Sequence, residues 1–77
     1  MAIVRHLERH QPEVEASHSE TDCTYAIIRD PDGRTYLQVD TYGSRERKIA
    51  GKKSQSIRFA PEAIKELRAI LAAHFSD

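Results

Sequence analysis

The segment that most constrains this chain is Asp30-Pro31-Asp32-Gly33, because it separates two runs rich in β-favouring residues, 24–29 and 35–42. Pro31 presets the backbone dihedral a turn needs, and Gly33 supplies a left-handed position. A loop of Pro31, Asp32 and Gly33 pairs Asp30 with Arg34, and therefore Ile27 with Leu37 and Tyr25 with Val39. That register gathers the apolar side chains on one face and Ile28, Tyr36, Gln38, Asp40 and Tyr42 on the other. A slip of one residue would scramble both sets, so the apolar pattern selects the register.

Farther along, Ser54-Gln-Ser-Ile-Arg-Phe59 alternates, with Ile57 and Phe59 on one side and Ser54, Ser56 and Arg58 on the other, which predicts a third strand. Ala60-Pro61-Glu62 opens a helix over 61–75. Proline is favoured at the first helical position, and Glu62 sits near the positive end of the dipole. Ile64, Leu67, Ile70, Leu71 and Phe75 recur at three- and four-residue spacing, a stripe suited to the sheet's apolar face. Residues 2–10 read equally as a short helix or a strand, ended by Pro12. The polar, acidic run 11–22 reads as a linker. The expectation is an α+β fold: a small antiparallel sheet, hairpin plus third strand, covered on one face by a C-terminal helix. Residues 1–22 form an N-terminal segment and linker, and 23–77 the domain.

With 77 residues there is room for one small core. No apolar run approaches the ~20 residues of a membrane helix. No signal-peptide pattern is visible, so a cytoplasmic chain is expected. Cys23 is the only cysteine, which excludes intramolecular disulfides and multi-cysteine zinc motifs. His6 and His10 stand four apart, and His18 and Cys23 could complete a metal site, but they lie in or beside the linker; surface histidines are the simpler reading. Asp30 and Asp32 flank a turn that favours Asp for its own backbone bonds. Ser44 and Ser54 lack a nucleophile elbow, and no glycine-rich phosphate loop precedes a helix. No catalytic residue, metal site or cofactor is expected.

The 12 basic and 12 acidic residues cancel, which rules out uniform positive charge, yet their distribution is uneven. Residues 43–58 hold Arg45, Arg47, Lys48, Lys52, Lys53 and Arg58 against Glu46 alone. With the helix on the apolar face, Tyr36, Gln38, Tyr42, Ser54, Ser56 and Arg58 would line an open face beside the loop cations. Rings that stack on bases, next to cations that neutralise phosphates, suit single-stranded nucleic acid. The bland reading is a solvated loop and two tyrosines that only stabilise the sheet.

From Tyr25 to Leu71 the chain resembles the single-stranded-DNA-binding coactivator family known as positive cofactor four. The matching parts are the Gly33-Arg34 turn, a long strand ending at Tyr42, a basic segment ending in Gly51-Lys52-Lys53, the strand 54–59 and the helix opened by Ala60-Pro61-Glu62-Ala63. The resemblance implies a curved antiparallel sheet, dimers formed largely through helices, and DNA along exposed sheet faces. This chain departs from the family at Asp40, where an arginine is usual, and at Gly43, where a tryptophan is usual. The expected function is binding of single-stranded nucleic acid, in transcription regulation or DNA maintenance, by a homodimer formed through the 61–75 helix. The alternative is a protein-interaction module, a phage- or plasmid-type regulator or inhibitor, docking an acidic partner through the same residues.

Overall fold

In the computed structural model, which describes residues 1–12, 18, 20–42 and 55–75, the 31–33 turn forms as its residue types demand. Gly33 adopts φ +85°, and its N–H donates to the Asp30 carbonyl at 3.0 Å. Asp30 N–H donates to the Arg34 carbonyl at 3.0 Å, and the Asp30 carboxylate accepts the Arg34 N–H at 2.9 Å. These bonds fix the expected register, with Ile27 opposite Leu37 and Tyr25 opposite Val39.

The elements are β1 (Ala2–Val4), β2 (Cys23–Arg29), β3 (Thr35–Thr41), β4 (Gln55–Phe59) and α1 (Pro61–His74). The sheet has four strands in the order β1-β4-β3-β2. Strand β3 pairs antiparallel with β2 on one side and with β4 on the other, whereas β1 joins β4 in parallel. The sheet is therefore mixed, and the boundary drawn at 22/23 leaves out a strand that the sheet includes. Ala60, extended at φ −71° and ψ 161°, donates its N–H to the Val4 carbonyl at 2.9 Å before Pro61 begins the helix. Beyond β1, the Leu7 N–H donates to Glu66 Oε2 at 2.7 Å, Arg5 stands 3.7 Å from Glu62, and His6 stands 3.6 Å from Glu66.

Because paired strands share their pleat, the registers resolve two faces. One carries the rows Tyr25-Val39-Ile57-Ala2 and Ile27-Leu37-Phe59-Val4. The other carries Thr24-Asp40-Ser56, Ala26-Gln38-Arg58-Ile3 and Ile28-Tyr36. The structure reverses the expected roles of these faces. Tyr36, Gln38 and Asp40 are 6%, 6% and 4% exposed, while Tyr25 and Ile27 are 74% and 63% exposed. The face expected to be open is covered, and the apolar face is open.

The strand-to-helix corner supplies a physical reason. Ala60 follows Phe59 and Tyr36 precedes Leu37 at the last printed pair of β3 with β4, and Ala60, Ala63 and Tyr36 are the buried apolar residues among those described. Two methyl side chains at this corner allow close approach on the Tyr36 side, whereas Phe59 and Leu37 add bulk on the other. The helix stripe is consequently used only in part: Ile64 and Leu67 are half-buried, and Ile70, Leu71 and Phe75 are exposed.

Candidate functional site

The covered face holds a ladder of polar side chains. Asp40, an acceptor only when ionised, faces Gln38, whose Nε2 donates at 3.2 Å to each carboxylate oxygen. The Ser56 hydroxyl donates to the same carboxylate. Gln38 Oε1 in turn accepts from Arg58 Nε at 3.1 Å and Nη2 at 2.6 Å. Because Asp40 can only accept and Arg58 can only donate, the Gln38 amide has one workable orientation. The amide thus relays between an anion and a cation without letting them touch. Burial of Asp40 is tolerable only because of such partners, since an isolated buried carboxylate carries a heavy desolvation cost.

The sequence pattern puts Asp40 on the face expected to be open, where a carboxylate would repel phosphate. Here its charge is inside the ladder, and Arg58 remains half-buried with an amide oxygen as its partner. No carboxylate lies within ion-pair distance of Arg58 among the described residues. Of the expected stacking residues, Tyr36 and Gln38 are covered, so neither offers a surface to a base. Tyr42 is half-buried, and its hydroxyl lies 2.8 Å from that of Thr24. The expected binding residues Arg45, Arg47, Lys48, Lys52 and Lys53 lie outside the described residues.

Among the metal candidates, His6 stands beside Glu66, whereas His18 and Cys23 are exposed. No group of three or more metal-binding side chains occurs among the described residues. Sequence reasoning missed the relay from Arg58 through Gln38 to Asp40. The available signal was that one face combines an acid, an amide, a hydroxyl and a guanidinium that can satisfy one another.

Compared with protein-family models, curated proteins and solved structures, the chain matches none.

Proposed function

We propose that this chain is a non-catalytic nucleic-acid-binding protein, gripping the phosphates of single-stranded DNA, in transcription regulation or DNA maintenance. The observation that carries this reading is charge segregation: Arg45, Arg47, Lys48, Lys52, Lys53 and Arg58 face only Glu46 within residues 43–58. Such clustering supplies the electrostatic term that dominates affinity for nucleic acids. Burial of Asp40 supports it by keeping that carboxylate out of direct contact with a bound phosphate. Covering of Tyr36 changes the balance of forces, leaving phosphate contacts as the main source of affinity. The order of parts that resembles positive cofactor four points the same way.

The test is a polarisation titration with a labelled single-stranded oligonucleotide at several salt concentrations. Replacing Arg45, Arg47 and Lys48 together with Ala is expected to weaken binding and flatten the salt slope by about 0.7 per lost phosphate contact. Absence of binding by the unaltered chain at low salt would remove the proposal.

A further inference from the structure

We infer that the flank of β4 beside β1, together with the first two turns of α1, is a peptide-binding slot. Residues 1–7 fill it in cis, and an extended segment of another protein with the same chemistry, apolar residues followed by a basic one, fills it in trans. The occupant already in place shows what the slot reads. Its strand runs parallel to β4, with Ala2 opposite Ile57, Ile3 opposite Arg58 and Val4 opposite Phe59. Main-chain pairing of this kind supplies affinity without regard to sequence, and side chains that alternate between the two faces supply selectivity. Ala2 and Val4 extend the apolar rows that contain Ile57 and Phe59, whereas Ile3 lies on the ladder side beside Arg58.

Past Phe59 the slot changes character. The extended backbone of Ala60 directs its N–H to the Val4 carbonyl, at 2.9 Å. Pro61 then starts α1, which sets Glu62 and Glu66, four residues apart on one helix face, against the residues that follow the strand. Glu62 Oε1 stands 3.7 Å from Arg5 Nη1, Glu66 Oε1 stands 3.6 Å from His6 Nδ1, and Glu66 Oε2 accepts the Leu7 N–H at 2.7 Å. Two carboxylates therefore meet a guanidinium, an imidazole and a backbone N–H. This complementarity selects a ligand with a basic side chain immediately after its apolar strand and disfavours an acidic one.

The cis occupant is lightly held. β1 has three residues, Ala2 and Ile3 are exposed, and the two ion-pair contacts lie between solvent-exposed side chains, where such pairs contribute little. Segments with few buried apolar contacts and exposed hydrogen bonds open locally, ahead of global unfolding. Residues 8–22 tether this segment to β2, and short tethers hold an occupant at an effective concentration on the order of 1 mM. An untethered peptide therefore competes well only once the cis contacts are weakened.

The probe is a synthetic peptide with the sequence of residues 1–7, fluorescently labelled at its C-terminus and titrated against the full chain and its full-length variant Arg5→Glu. Reversing Arg5 sets like charges against Glu62 and Glu66 in cis, so saturable binding of the peptide is expected to tighten by about fivefold or more in the variant. A peptide whose own arginine is replaced by glutamate is expected to lose about the same factor. Amide shift changes are expected at residues 57–60, 62 and 66. No saturable binding to the variant at ~1 mM peptide overturns the inference, as does binding indifferent to the peptide's arginine, or shifts centred on another strand. Should Arg5→Glu fail to fold, native-state hydrogen exchange of the unaltered chain decides. The Leu7 and Ala60 amides are expected to exchange about tenfold or more faster than the slowest amides of β3, through an opening that leaves the rest folded. Equal protection means that the slot does not vacate, and refutes the inference. Sedimentation equilibrium reads one more outcome: a dimer that excess peptide returns to 8.8 kDa gives the slot to residues 1–7 of a second copy and overturns the assignment to another protein. These readouts contain no nucleic acid, so they stand or fall apart from the DNA-binding proposal.

Discussion

Replacing Gln38 with Leu is expected to break the polar ladder while roughly preserving side-chain volume. Gln38 is the amide that separates Asp40 from Arg58, with donors at 3.2 Å from the carboxylate and an acceptor at 2.6 Å and 3.1 Å from the guanidinium. Hydrogen bonds to charged groups contribute about 1.5–3 kcal/mol each. Losing one such contact at either end removes about 3–6 kcal/mol. Arg58 can swing toward Asp40 and recover part of this, and leucine adds apolar contact, which brings the net cost to about 2–4 kcal/mol. Against a total stability near 5 kcal/mol for a small domain, most of the margin disappears. Urea unfolding reads the change as a midpoint lowered by about 2–4 M for a slope near 1 kcal/mol/M. Protein concentration must be held fixed, because self-association would itself shift the midpoint. A double-mutant cycle with Arg58→Leu separates the ladder from general packing. If the three residues act as a unit, the double variant costs about 1–3 kcal/mol less than the sum of the single ones. Additivity within about 0.5 kcal/mol, or a Gln38→Leu cost below that value, would refute the argument.

Gly33→Ala should cost about 1–2 kcal/mol in thermal or urea unfolding, because φ +85° is left-handed; no atom lies within 4 Å of the added Cβ, so crowding contributes nothing. Removing residues 1–7 should lower stability by about 2 kcal/mol, since it strips β4 of its parallel partner and leaves the Ala60 N–H without the Val4 carbonyl. A truncated chain with unchanged melting would show that β1 is passive. Ala63→Leu should cost about 1–3 kcal/mol, because a fully buried methyl position has no room for three more carbons; an unchanged midpoint would contradict the close packing at that corner.

The hairpin was legible because local chemistry determines it: Pro31 and Gly33 specify the turn, and strand alternation then specifies the register. The helix start was legible for the same kind of reason, from Pro61 and Glu62. Which face the helix leaves open was not legible. Apolar alternation marks two faces, but it identifies the covered one only if polar residues avoid burial. Gln38, Asp40, Ser56 and Arg58 satisfy one another, so that premise failed and the stacking face proposed around Tyr36 failed with it. Whether residues 2–10 form a helix or a strand stayed open in the sequence, because the three residues of β1 carry almost no periodicity and their partner in β4 is remote. The basic segment was legible as composition alone, which conveys charge but not placement.

That remote pairing has a consequence for the order of events during synthesis. Ala2 and Val4 lie beside Ile57 and Phe59, so β1 has no ladder to join until β4 has been translated. The 31–33 hairpin, by contrast, can close as soon as β3 emerges. Folding should therefore proceed from the middle outward, with β1 captured last. Because such a long loop must close before any contact rewards it, this capture is the slow, entropy-limited step. Until then one flank of β4 presents unpaired backbone groups to whatever neighbouring chain is also being made.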